Sequence, residues 1–102
     1  MFEVQVFIPE YSNDGIPFTV EQHEAFEAFV IGLFGGVSRY PSTVAGAWVS
    51  ENKIYRDHNR VYGIAVNSIA QGALIAQVVE FAKTNYTQLS IAVRYLGQFE
   101  II

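Results

Sequence analysis

Cysteine is absent from this 102-residue chain, which excludes disulfides, thiolate metal sites and a thiol nucleophile, and fits a cytoplasmic protein that needs no covalent staple. Basic residues are few. Six Lys and Arg stand against ten Asp and Glu, for a net charge of −4, and the six are scattered, so the clustered cations that neutralise a nucleic-acid backbone are missing and no nucleic-acid partner is expected. Two histidines, His23 and His58, follow no ligand spacing, so neither a metal site nor a cofactor is expected. No apolar run approaches the roughly 20 residues of a membrane span, and Met1 to Val6 has neither the basic region nor the apolar core of a signal peptide. These features lead us to expect no membrane and a cytoplasmic location. A Gly-rich phosphate loop, a nucleophile elbow, a zinc motif and usefully spaced carboxylates are also lacking, which counts against common hydrolase and nucleotide chemistry.

What is abundant is apolar surface. The hydrophobic share is 51% and the aromatic share 15%. A chain of this length forms about one domain, expected over 1–102, with too little interior to hide so much apolar surface. Part of it is expected to meet a partner, a second copy being the simplest.

The chain is organised around Val61-Tyr62-Gly63-Ile64-Ala65-Val66-Asn67, where charge is absent and a central strand covered on both faces is predicted. Phe2 to Ile8 alternates as a strand and Pro9 ends it. Tyr11 to Pro17 is a loop of turn formers. Thr19 and Gln22 make a capping box for a helix with the stripe Phe26, Phe29, Val30, Leu33, closed by Gly35-Gly36. The segment 36–43 is interrupted by Pro41 and suits an edge strand or loop. Val44 to Ser50 and Ile54 to Arg56 flank a turn at Glu51-Asn52-Lys53, and the polar tetrad Asp57-His58-Asn59-Arg60 reads as a solvated hairpin loop leading into the central strand. Ser68 and Gln71 repeat the cap spacing before one further helix, with Asn85 as its left-handed terminator. Leu89 to Leu96 alternates as the last strand, and Phe99 to Ile102 is an extended apolar tail.

The order is therefore β-α-β-β-α-β, an α+β ferredoxin-like arrangement with a four-stranded antiparallel sheet and two helices on one face. The first and third strands become the inner pair. The helix-covered face takes Val4, Val6, Ile8, Ile64, Val66, Ile91 and Val93. The other face takes Glu3, Gln5, Phe7, Val61, Gly63, Ala65, Ala92, Arg94 and Leu96, mixed in character and predicted to expose an apolar patch. This organisation resembles the dimeric α+β barrel proteins, in which two such sheets pack by their open faces. That group includes small cofactor-free monooxygenases and lactone isomerases. The motifs Phe34-Gly35-Gly36 and Gly46-Ala47-Trp48 also resemble those of small bacterial proteins of uncharacterised activity. The first likeness implies a dimer; no catalytic motif of either group matches residue by residue.

Candidate sites follow from the residue types. Asp57 and His58, with Arg56, Arg60 and Tyr55, form the densest polar cluster, and an oriented imidazole can act as a general base. Adjacent residues on an extended chain point to opposite sides, however, so a solvated turn is the favoured reading. His23 lies in the first turn of a helix, where the dipole disfavours its protonation, and a half-exposed structural histidine is expected there. Arg94, Glu3 and Gln5 project from one sheet face as a cross-strand ion pair or, functionally, as the polar floor of a ligand cavity. Trp48 is expected to be a packing anchor, with Arg39 stacked on it or in solvent. Two functions follow from these residues. The favoured one is a homo-oligomeric binding or interaction domain using the open sheet face, a dimer with room for a small-molecule ligand. The alternative is a cofactor-independent isomerase or monooxygenase acting on an apolar carbonyl compound, Arg94 polarising it and His23 or His58 moving a proton.

Overall fold

The computed structural model describes residues 2–95, apart from the side chain of Trp48. β1 (Phe2–Pro9) leads to α1 (Val20–Phe34), β2 (Ser38–Arg39), β3 (Val44–Ser50) and β4 (Lys53–Val66); α2 (Ile69–Ala73) and α3 (Ile75–Asn85) precede β5 (Ala92–Tyr95). All strand pairs are antiparallel, and β1 and β4 form the inner pair, in register from Phe2↔Val66 to Pro9↔Asn59. β5 lies on the far edge of β1. The sheet has five strands among the described residues, not four, because the edge beyond β4 is shared: β2 pairs with Tyr62 and Gly63, and β3 with Lys53 to Asn59. Pro41 sits between them and has no N–H to donate to a ladder, so one edge position is filled by two short strands.

Helix α1 forms where its cap predicts. The Thr19 hydroxyl accepts from Gln22 N–H at 3.1 Å while the Gln22 side-chain oxygen accepts from Thr19 N–H at 2.9 Å. Gly35, at φ 82°, closes the helix in the left-handed region that glycine enters without a Cβ penalty. The second helix is divided at Leu74, whose N–H turns back to Gln71 O instead of continuing the helical ladder. Gly72, a poor helix former, lies just before the break. Asn85 is the last helical residue, and the left-handed residue beyond it is Thr87, at φ 51°. The two long helices are tied together by an exchange of amides: Gln22 Nε2 donates to Asn85 O at 2.9 Å, and Asn85 Nδ2 donates to Gln22 O at 2.7 Å.

The core lies between the helices and one sheet face. Val4, Val6 and Ile8 of β1 and Tyr62, Ile64 and Val66 of β4 meet Phe26 and Val30 of α1 and Ile75, Val78 and Ala82 of α3 in one buried cluster. Ile91 and Val93 pack against it as expected. Each such aliphatic side chain contributes about 1.5–3 kcal/mol by leaving water.

Three expectations are corrected. Asp57 to Arg60 is not a loop: it belongs to β4, a continuous strand of 14 residues, because β3 pairs along it and His58 O accepts from Glu10 N–H. The last strand begins at Ala92, and Leu89 is almost wholly exposed. The open face is also less bare than predicted, since Gln5, Val61 and Gly63 on it are buried. Leu96 and the tail Phe99 to Ile102 lie outside the described residues.

Candidate functional site

Strand β4 carries polar side chains to both faces of the sheet. Side chains two apart share a face, so the row Val66, Ile64, Tyr62 continues to Arg60 on the helix side. Cross-strand partners share a face too, which brings Arg39, the partner of Tyr62, to the same side. The mostly buried Arg60 reaches Glu10 through Nε at 3.4 Å, Glu27 of α1 at 3.8 Å and the Tyr62 hydroxyl at 3.1 Å. Tyr62 in turn donates to Glu27 at 2.5 Å.

The electrostatics of this group follow from burial. Loss of water together with the hydrogen bond to Glu27 pushes the Tyr62 phenol up to about 12, so at neutral pH it is a fixed donor rather than a base. Burial opposes the charge of Arg60, but Tyr62 and Glu10 outweigh it and raise its pKa.

His23 lies beside this group. It is 5% exposed, buried rather than half-exposed, and Nδ1 is 2.8 Å from the Tyr86 hydroxyl, a partner that no sequence spacing pointed to. Burial lowers its pKa, as does the Arg60 charge, against the smaller pull of Glu10 and Glu27. Burial likewise pushes the Tyr86 phenol well up. A neutral imidazole facing a neutral phenol satisfies both buried groups. Facing inward, His23 is not positioned to take a proton from a bound molecule.

Where the turn 40–43 passes the middle of β4, a cleft of about 260 Å³ opens between Glu10, Arg39 and Arg60, with Tyr40, Ser42 and Thr43 on its rim. Among the described residues Arg39 has no ion pair, and the Ser42 and Thr43 side chains have no hydrogen bond. This cleft is the clearest candidate site. Extending the alternation of the central strand two residues back to Arg60 was the signal that could have found it.

On the opposite face the expected floor of Glu3, Gln5 and Arg94 is only partly assembled. Gln5 Nε2 donates to Glu3 at 3.2 Å and to the Tyr40 hydroxyl at 2.8 Å, and Tyr40 donates to Glu3. The Glu3 bond raises the Tyr40 pKa. Arg94 is the register partner of Gln5, yet its guanidinium lies 5.4 Å from the centre of the Phe7 ring, with no ion pair among the described residues. Tyr40 thus takes the place predicted for Arg94, and with Glu3 it lies directly over Gly63, where a Cβ would approach Glu3 to 2.9 Å and Tyr40 to 3.2 Å.

Asp57 and His58 are not brought together. As neighbours on β4 they leave opposite faces, and both border a separate open hollow of about 610 Å³ with Tyr11, Ser12 and Gln88. Arg39 is exposed, and Trp48 pairs by its backbone with Tyr55, while its side chain lies outside the described residues. Among the described residues no group of three or more His, Asp and Glu side chains converges as metal ligands do. No described helix is long and apolar enough to cross a membrane.

No family model matches the chain, and no curated protein does. Solved structures do. The divalent cation tolerance protein CutA1 of Thermus thermophilus matches at 11% identity and a TM-score of 0.63, covering 93% of this chain and 81% of that one. CutA1 of Oryza sativa matches at 18% and 0.63, over 93% and 76%. A phage SAM lyase in complex with S-methyl-5′-thioadenosine matches at 12% and 0.68, over 90% and 77%. At such identities the likeness is one of fold, the ferredoxin-like α+β arrangement.

Proposed function

We propose that this protein is a homo-oligomeric domain that binds a small molecule, and that copies join through the ribbon formed by β3 and the first half of β4, with the uncovered part of the open sheet face at its margin. The observation that carries the reading is at the ribbon tip. Val49 and Ile54 are cross-strand partners, 68% and 62% exposed, on a ribbon whose strands pair only with each other from Gly46 to Asp57 among the described residues. Glu51 and Asn52, both at positive φ, form the tight turn that sends the ribbon outward. A two-stranded ribbon is marginal in water, and among the described residues no strand pairs with the outer edge of β3, where backbone groups are left open. A second copy answers both needs at once, covering the apolar tip and pairing the edge, and two copies are the smallest assembly that does so. The solved neighbours support a small stand-alone unit of this fold. The divalent cation named for the Thermus protein is not carried over, because the described residues offer no convergent ligand set. Light scattering on the eluting peak tests the reading: twice the chain mass or more at micromolar concentration is expected, and the mass of a single chain overturns it.

A second reading is favoured by one observation, the bound thioether nucleoside of the phage enzyme. On this reading the chain is a cofactor-independent enzyme acting on S-adenosylmethionine, with the Tyr62–Glu27–Arg60 group as its fixed polar wall. Arg94 and His58 stand apart from that wall, and His23, beside it, is turned to Tyr86; none of the three is its machinery. Incubation with S-adenosylmethionine should release S-methyl-5′-thioadenosine, seen by chromatography. If the substrate stays intact, this reading is lost.

A further inference from the structure

We infer that the cleft between Glu10, Arg39 and Arg60 receives the α-amino acid group of a small ligand, its carboxylate on Arg39 with the Ser42 and Thr43 hydroxyls and its ammonium on Glu10. The inference rests on the proposed function only in taking the domain to bind a small molecule, and it needs no second copy of the chain. Its basis is how the charges are already spent. Arg60 is answered by Glu10 and Glu27 and held by Tyr62, so its charge is not free to draw in an anion. Arg39, on the same side of the sheet and on the wall of the same cleft, has no counter-ion among the described residues. Glu10 engages Arg60 through one oxygen only, Oε1, which leaves Oε2 able to accept.

A simple anion entering here gains Arg39 but meets Glu10; a simple cation gains Glu10 but meets two arginines. A group carrying both charges on one carbon matches both walls. A guanidinium and paired hydroxyls suit a carboxylate, and a carboxylate suits an ammonium. At about 260 Å³ the cleft lies below the roughly 300–1,000 Å³ of drug-sized sites, a scale suited to a head group with the remainder of the ligand outside.

The test is a titration of the whole ¹⁵N-labelled protein, followed by amide shifts, with L-methionine and its two singly charged relatives, 4-(methylthio)butanoate and 3-(methylthio)propylamine. Methionine should move the amides of Glu10, Arg39, Tyr40, Ser42 and Thr43 saturably, with each relative at least about tenfold weaker. Arg39→Ala and Glu10→Gln should each weaken methionine by a similar factor while the remaining spectrum stays folded; Arg39 is exposed, so its loss leaves the core intact. Equal binding of the butanoate makes the cleft a plain anion site and overturns the inference, as does the absence of saturable shifts with methionine. A protein that elutes as one chain yet binds methionine in this pattern would sink the assembly and leave the cleft assignment standing.

Discussion

The two halves of β4 are one continuous strand, yet one is exposed and the other buried. From Val61 to Val66 the strand is paired along its length with β1, and with β2 at Tyr62 and Gly63, and every residue but Ala65 is buried. From Lys53 to Asp57 its one neighbour among the described residues is β3, and every residue but Asp57 is exposed. The backbone is extended throughout. What changes is the company, so burial rather than strand geometry decides where a substitution matters, and the same side-chain type should have unlike weights in the two halves.

The largest expected effect sharpens that contrast. Phe26 is fully buried against Tyr62, with ring centroids 5.1 Å apart, and Phe26→Ala should cost about 3–5 kcal/mol in urea unfolding. Ile54→Ala at the ribbon tip should change stability by no more than about 0.5 kcal/mol in a lone chain. Comparable losses would mean that the ribbon belongs to the folded body after all.

Next come two glycines, one in each half of the β4 ladder. A Cβ on Gly63 would press on Glu3 and Tyr40, which are tied to each other and to Gln5, so relief requires breaking a linked group. Gly63→Ala should cost about 1–3 kcal/mol. A Cβ on Gly46 would meet the end of the Asp57 side chain at 2.6 Å, on a ribbon where that carboxylate can swing outward. Gly46→Ala should therefore cost less, and thermal melts showing the reverse order would remove the distinction.

A smaller effect should appear as pH dependence. The His23 pKa is lowered by burial and by Arg60, so its unfolded imidazole takes up a proton near pH 6.5 while the folded one does not. The unfolded state then binds more protons, and stability falls as pH drops from about 6.5 to the lowered folded value. Above 6.5 the contribution is complete; below the folded pKa nothing further is lost. His23→Gln should flatten that stretch of the stability profile, and an unchanged slope would assign the dependence to other groups.

Much of the body was legible in the sequence and little of the ribbon or the cleft was. The alternation of Phe2 to Ile8, the Thr19–Gln22 box and the charge-free run from Val61 are local signals, and they place β1, α1 and the buried half of β4. Asp57 to Arg60 misled because four polar residues in a row show no apolar alternation and look like a turn, even where the strand continues and Arg60 is mostly buried. The cleft and its neighbours depend on pairs far apart in the chain: Tyr62 with Glu27 is 35 residues distant, and His23 with Tyr86 is 63. No spacing motif encodes such pairs. Tyr40 is a similar case, since its place over Gly63 is set by the path of the chain around Pro41. The open sheet face was predicted to be the bare apolar surface; Gln5, Val61 and Gly63 are buried there, and the exposed aliphatic pair that faces across two strands, Val49 and Ile54, lies further out, on the ribbon.

A small expected effect on stability also gives the sharpest test of the contrast between the halves. Val49 and Ile54 face each other across the ribbon and are mostly in water in a single chain. Introducing Val49→Asp and Ile54→Asp together removes no buried contact there, and two like charges facing each other across the strands should cost the lone fold no more than about 1 kcal/mol. At an interface the same pair would place two carboxylates in an apolar contact, where burial of unpaired charge is costly enough to dissociate it. The double variant should therefore keep the far-ultraviolet circular dichroism of the parent while its scattering mass falls to that of one chain. An unchanged mass would show that copies join elsewhere, and a collapse of the spectrum would show that the tip of β4 is as much a part of the core as its base.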